Sequence, residues 1–394
     1  MRKDTDVFPE IVNAFEKEHP EYKVEITEFD DINDMRMRLA TELMAGKGPD
    51  VIFCYPMPFL NPEKTIQSGY LLDLTPYLDQ NPDFMMEDYF SQAMEAVIMD
   101  GKRYLAPLDF SYWPVYTTKS VLARIGAKPG DSLSVERLSG LVKDQTTPLV
   151  YTNLKHIVEN YTKEYEVLYR YWSSMGISIA DTEKEKPLFD QTPFQKAVEF
   201  LKMLCESQGA IDMKTNPAEQ TNESSVMLWD PLNPYSSNDL FRWEKGMKAR
   251  GEQGVLLAPP SAEGSVGSGI IHNALAVNAG AKEKDGAIAL VQFALGEEMQ
   301  TKGASNWLLV PVNKKALEGQ IQYFLDTEFE DIGVSEEYIA CYRELVENSG
   351  PCLLFDPELG SMVDEMVVKY IKDEITLEQM TKELMQRVGL YLKE

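Results

Sequence analysis

At 394 residues, with 44% hydrophobic and 26% charged side chains, the chain has a globular composition and the length for two or three domains. Sixty-four acidic residues against thirty-eight basic ones give a net charge of −26, which disfavours nucleic acid and anionic lipid as partners and suits a neutral or cationic ligand. No run approaches the roughly twenty apolar residues of a membrane span.

The opening residues MRKDTDVFPE carry two basic side chains but no apolar stretch behind them, so they do not read as a signal peptide. That leaves a cytosolic protein or one whose export leader has been removed. Four scattered cysteines, with no C-x-x-C pair, fit neither a disulfide scaffold nor a zinc site. Free thiols are expected, with Cys341–Cys352 the conceivable bridge.

In chain order, Phe8, Ile11, Val12 and Phe15 form the stripe of an amphipathic helix ending before Pro20. YKVEITEF alternates like a half-buried strand, with Val24 and Ile26 on one face. Ile32, Met35, Leu39 and Leu43 give a second helical stripe, halted by Gly46. DVIF is a continuously apolar strand, as expected where both faces are covered. The Gly-Lys-Gly-Pro-Asp step between them could cradle a phosphate or be a plain turn. Its order, helix first and strand second, is the reverse of a phosphate loop and favours the turn. Helix, strand, helix, strand in succession predicts an α/β layer with right-handed crossovers.

DGKRYLAPLDFSYWPVYTTKSVL is an extended stretch marked by two prolines, which argues against a central strand and for a crossing between two bodies. Residues 134–250 read as mostly helical and aromatic-rich. GVLLAPPSAEGSVGSG gives a second crossing, IIHNALAVN a strand, DGAIALVQFALGEEMQ a buried helix, and ASNWLLVPVNKKAL a third crossing. The tail is helical, with Thr376 and Gln379 in a capping-box spacing and a stripe of Leu377, Met380, Leu384 and Val388. Three crossings separate two discontinuous α/β lobes, which places a ligand cleft between them with the crossings as hinge.

IVNAFEKEHPEYKVEI, LATELMAGKGPDVIF, GYLLDLTPYLDQ and DGKRYLAPLD, in this order, resemble the extracellular solute-binding proteins of ABC importers, in their carbohydrate-binding branch. SSVMLWDP and the run from GVLLAPPSAEG to NKKAL agree. The resemblance implies a two-lobed, type II periplasmic-binding-protein-like α/β fold: residues 1–110 and 264–310 in lobe 1, 111–263 and 311–394 in lobe 2. It implies capture of an oligosaccharide and delivery to a permease, outside the cell, by a monomer that is lipid-anchored in its native form. No catalysis, cofactor, metal or nucleic acid is implied. Two departures stand out. Members of the family open with a strand before the first helix, whereas here the helix comes almost at once. Their Tyr-Asn-Lys-Asp is replaced by Tyr116-Thr117-Thr118-Lys119.

A sugar presents C–H faces to flat aromatics and hydroxyls to carboxylates and amides. Candidates at strand ends and crossings are Tyr55, Asp109, Phe110, Tyr112, Trp113, Trp229, Asp230, His272 and Trp307, with Trp172 added by the resemblance. Each has a bland counterpart in hinge or core packing. The alternatives are a receptor for a cationic solute such as a polyamine, whose charge aromatic faces also hold, and a glycoside-active α/β enzyme using two carboxylates. Three histidines (His19, His156, His272), none in H-E-x-x-H spacing, and no G-x-S-x-G elbow argue against a zinc hydrolase or a serine esterase.

Overall fold

The computed structural model describes residues 7–393 except 56, 145–148, 153, 160, 162–167, 182–183, 207–209, 212–226, 230, 232–236, 263–264, 305–308 and 328. The chain divides into two compact units, each discontinuous in sequence. Unit 1 comprises residues 1–111, 270–326 and 351–357; unit 2 comprises 112–269, 327–350 and 358–394.

In unit 1, α1 (Val7–Glu18) buries Phe8, Ile11, Val12 and Phe15, and α2 (Ile32–Met44) buries Met35, Leu39 and Leu43, as their stripes predict. Asp31 caps α2 by accepting from the N–H groups of Asn33 and Asp34. Gly46 (φ 65°) and Gly48 (φ 110°) turn the chain into β1 (Val51–Phe53). This turn presents acceptors: the carbonyls of Lys47 and Pro49 take hydrogen bonds from Asn278 Nδ2 at 3.0 and 3.2 Å. A phosphate cradle needs N–H donors pointing inward, so the Gly-Lys-Gly-Pro-Asp step is a structural turn.

β1 pairs antiparallel with the strand Ala274–Val277, which pairs in turn with Leu105–Pro107. Pro107 therefore lies on an outer strand of this sheet, where a missing N–H is tolerated. A second sheet has the order Val310–Pro311, Asp109–Ser111, Ser268–Ile271, Gly350–Leu353.

Three expectations are corrected here. Residues 22–28 alternate as predicted, with Tyr22, Val24 and Ile26 half-buried and Lys23, Glu25 and Thr27 exposed, but they form no ladder among the described residues. The IIHNALAVN run is two strands, broken at His272-Asn273 where backbone and side chain turn to Asp109. The third crossing, expected near 310, lies after 326. Val310–Pro311 pairs with Asp109–Ser111, and Gln320 Nε2 donates to the Leu309 carbonyl, so this segment stays in unit 1.

Unit 2 holds a five-stranded mixed sheet in the order Ala210–Ile211, Leu149–Thr152, Met227–Leu228, Val115–Thr118, Gly254–Leu257. The first three strands run parallel and the last two antiparallel to their neighbours. The strand Leu149–Thr152 falls inside the stretch expected to be mostly helical. Helix Thr192–Glu206 buries Phe194, Val198, Leu201 and Leu204. Helix Leu377–Tyr391 starts at the predicted capping box: Thr376 Oγ1 accepts from the Gln379 N–H at 3.2 Å, and Gln379 Oε1 accepts from the Thr376 N–H at 2.8 Å. Thr376→Ala removes one of this reciprocal pair and is expected to cost about 1 kcal/mol in urea unfolding. Thr376→Ser should restore most of that loss.

Among the described residues, no helix is long and apolar enough to cross a membrane. All four cysteines are free thiols, including Cys341 and Cys352.

Candidate functional site

The sequence candidates of unit 1 converge at the break between the strands Ser268–Ile271 and Ala274–Val277. Asp109 is fully buried there. Its Oδ1 accepts from the Asn273 N–H at 2.7 Å, and its Oδ2 accepts from Asn273 Nδ2 at 2.8 Å and the Leu309 N–H at 3.0 Å. Its own carbonyl accepts from the His272 N–H. Burial pushes the Asp109 carboxyl up to about 6, against the pull of these three donors. With both carboxylate oxygens engaged, Asp109 acts as a clamp that fixes the His272-Asn273 step.

Asn273 Nδ2 also lies 3.1 Å from His272 Nδ1. Since the amide nitrogen, which also donates to Asp109, can only donate, Nδ1 is the acceptor in this contact. The imidazole packs against Tyr55 with ring centroids 3.8 Å apart and planes tilted by 37°. Tyr55 follows β1 and stays half-buried. The loop beyond it is held by buried Arg36, whose Nε donates to the Met57 carbonyl at 3.1 Å. The result is a half-exposed phenol ring backed by an oriented imidazole. The pair presents part of an aromatic face, while the His272 Nε2 itself is buried. Phe110, by contrast, is fully buried and packs edge-on against Phe90, so it supports the sheet and presents no free face.

In unit 2, Trp229 ends the Met227–Leu228 strand and is fully buried, edge-on to Tyr171 at 5.4 Å and stacked with Phe200 at 6.2 Å. Among the described residues its Nε1 has no acceptor. Trp172 sits in helix Tyr169–Ser174 and packs edge-on to Phe194 at 5.8 Å, a core contact with helix Thr192–Glu206. Tyr112 and Trp113 are buried, and burial raises the Tyr112 hydroxyl far above the usual phenol range. Asp230 and Trp307 lie outside the described residues. The ligand role expected for Phe110 and Trp172 is carried no further.

Asn273 and Tyr171 were not among the sequence candidates. The signal for Asn273 was a polar interruption in an otherwise apolar strand. For Tyr171 it was only the aromatic density of YRYW, which does not separate a helix core from a site.

The profile of the bacterial extracellular solute-binding proteins matches residues 3–301. No curated protein matches the chain significantly. Among solved structures, the sugar-binding protein MalE of Xanthomonas citri aligns at TM-score 0.67 and 14% identity, over 99% of this chain and 95% of that one. An oligosaccharide periplasmic-binding protein of Synechococcus sp. MITs9220, itself described as putative, aligns at 0.65 and 18%, over 98% and 95%. The GacH receptor of Streptomyces glaucescens, solved unliganded and with acarbose, aligns at 0.61 and 17%, over 98% and 95%. At these identities the likeness establishes the two-domain α/β solute-binding fold. The profile match, covering most of the sequence, settles the membership: this chain belongs to the bacterial extracellular solute-binding protein family.

Proposed function

We propose that the protein captures a carbohydrate, an oligosaccharide rather than a single ring, and delivers it to the permease of an ABC importer. It works as a monomer at the cell surface, lipid-anchored in its native form, and does no chemistry on its ligand. The observation that carries this reading is the half-exposed Tyr55 ring backed by His272, with the Asp109–Asn273 clamp behind it. A half-exposed flat aromatic matches the C–H face of a pyranose. The sugar-binding neighbours of the same fold support the ligand class.

The test is isothermal titration and thermal shift against mono- and oligosaccharides, with polyamines and amino acids as the counter-set. An oligosaccharide present at about a hundred times its Kd should add about 2.7 kcal/mol to stability. A response to amines alone would overturn the carbohydrate reading, and hydrolysis products on incubation with glycans would replace it with an enzyme. Within the responding set, Tyr55→Ala should weaken binding about tenfold or more, the worth of one aromatic–ligand contact. Because Tyr55 is half-buried, its unfolding midpoint should move much less than its affinity does.

A further inference from the structure

The Asn273 amide is shared by two groups that take up protons. Its Nδ2 donates to Asp109 Oδ2 at 2.8 Å and lies 3.1 Å from His272 Nδ1, and that ring nitrogen stands 3.9 Å from Asp109 Oδ1. The other end of the amide, Oδ1, is buried and accepts no hydrogen bond among the described residues. One NH2 group thus serves both neighbours, while the carbonyl serves neither.

The protonation of those neighbours dictates this orientation. An ionised carboxylate and a bare ring nitrogen are both acceptors, so only the NH2 end can face them. A proton on Asp109 Oδ2 reverses the demand on one side, and a hydrogen on His272 Nδ1 reverses it on the other. With both in place, an amide turned by about 180° about its last torsion accepts from both through Oδ1. Nothing else at Asp109 has to break. Its Oδ1 still accepts from the Asn273 N–H, and the new hydroxyl oxygen keeps a lone pair for the Leu309 N–H. With only one of the two protons bound, donor faces donor or acceptor faces acceptor on one side, whichever way the amide points. The two uptakes are therefore coupled, and the groups titrate as a pair.

Titratable groups meet here from three elements. Asp109 comes from the strand Asp109–Ser111, His272 from the break after Ser268–Ile271, and Tyr55 from the loop after β1. On the remaining sides, the segment before Val310–Pro311 presents the Leu309 N–H, the neutral Gln320 of helix Lys314–Thr327 donates to the Leu309 carbonyl, and Arg36 of α2 donates to the Met57 carbonyl. Burial against the three donors sets the Asp109 carboxyl at about 6, with no charged side chain contributing. Imidazole is the side chain whose ordinary charge change falls between about pH 5 and 8.

We propose that Asn273 is a proton-driven toggle of the Tyr55 site: proton uptake by Asp109 and His272 turns its amide over and sets an imidazolium against the Tyr55 ring. The protons come from solvent, and no bond other than N–H and O–H forms or breaks. A cation held at a ring centroid distance of 3.8 Å draws on the negative face of the phenol ring. Less of that negative character then remains for the C–H groups of a sugar on the opposite face. The site captures at neutral pH and releases in acid. This effect on affinity rests on the carbohydrate reading, whereas the toggle does not.

The test is NMR of the ligand-free full chain, labelled with 15N at Asn and His and with 13C at the Asp carboxyls, and titrated from about pH 8 to about pH 5. The Asp109 carboxyl, His272 Nδ1 and the Asn273 NH2 signals should share one midpoint to within about half a unit. Cross-relaxation between the Asn273 NH2 and the Leu309 N–H, which donate to the same oxygen, should be present at the alkaline end and lost at the acid end. An Asn273 amide that keeps this contact while Asp109 titrates would overturn the toggle, as would midpoints for Asp109 and His272 more than about one unit apart. In the affinity arm, maltotriose, or failing it the panel oligosaccharide that raises the melting temperature most, should bind about tenfold more weakly at the acid end. Equal affinity at both ends with a turning amide would overturn the coupling to the ligand. A turning amide in a protein that answers no sugar would overturn the carbohydrate reading alone.

Discussion

Gly176→Ala should be among the most damaging single substitutions in unit 2, with an expected loss of about 4 kcal/mol or more. Gly176 follows helix Tyr169–Ser174 with φ 71°, a conformation that costs an L-residue about 1–2 kcal/mol. Its N–H donates to the Ser173 carbonyl, and the Ile177 N–H to that of Trp172, the two bonds of a Schellman ending. The larger cost is steric, because a Cβ there would lie 1.8 Å from the Val266 carbonyl oxygen. The two causes separate by experiment. Asn tolerates left-handed backbone, so Gly176→Asn should rescue nothing if the clash dominates. Gly126 ends its helix with the same conformation (φ 66°) and open space around it, so Gly126→Asn should cost only a few tenths of a kcal/mol. Urea unfolding of the three variants checks this. A Gly176→Asn protein as stable as wild type would refute the steric account.

The second large effect is at Asp109. Asp109→Asn keeps the shape but puts an NH2 where N–H groups already point, against either the Asn273 N–H or the pair from Asn273 Nδ2 and Leu309. Losing a charge-assisted bond and stranding a buried donor together cost about 3 kcal/mol, which lowers the melting temperature by about 6–12 °C. Sugar affinity should fall as well, because the His272-Asn273 step loses the clamp behind Tyr55.

The pH dependence has a definite sign. The Asp109 carboxyl titrates near 3.8 in the unfolded chain and near 6 in the fold, so the folded state binds its proton more tightly. Its contribution to stability is greatest below the unfolded value and is lost as pH rises through about 6. The gap in stability between wild type and Asp109→Asn should therefore widen as pH falls from 7 to 4. A gap that narrows over that range would mean that the three donors outweigh burial.

Much of the architecture was legible because helices announce themselves by period. The stripes of α1, α2 and helix Leu377–Tyr391, and the Thr376–Gln379 box, follow from side-chain geometry alone. Strands were less legible. Leu149–Thr152 is a short apolar run between helical stretches, and its strand identity comes from pairing with Met227–Leu228 and Ala210–Ile211. Residues 22–28 show the converse: alternation identifies the face that seeks burial but not whether a neighbour is there. At the site, aromatics near strand ends were the class sought from the sequence. Yet Tyr55 and Trp172 differ only in tertiary packing, one left half-exposed beside an imidazole and the other closed over by Phe194. The carboxylate that breaks IIHNALAVN into two strands comes from residue 109, which no local pattern around residue 272 could show.

The order of strands in unit 1 also constrains how the chain acquires its structure. Ala274–Val277 stands between β1 and Leu105–Pro107, so neither of those segments has its ladder partner until residue 277 has been synthesised. The first hundred residues therefore cannot settle vectorially as they emerge. They wait, with apolar strands unsatisfied, for a segment that arrives about 9–35 seconds later at about 5–20 residues per second. Such long-range closure makes folding slow, and it means that the three-stranded sheet of unit 1 closes only after all five strands of the unit 2 sheet have been made.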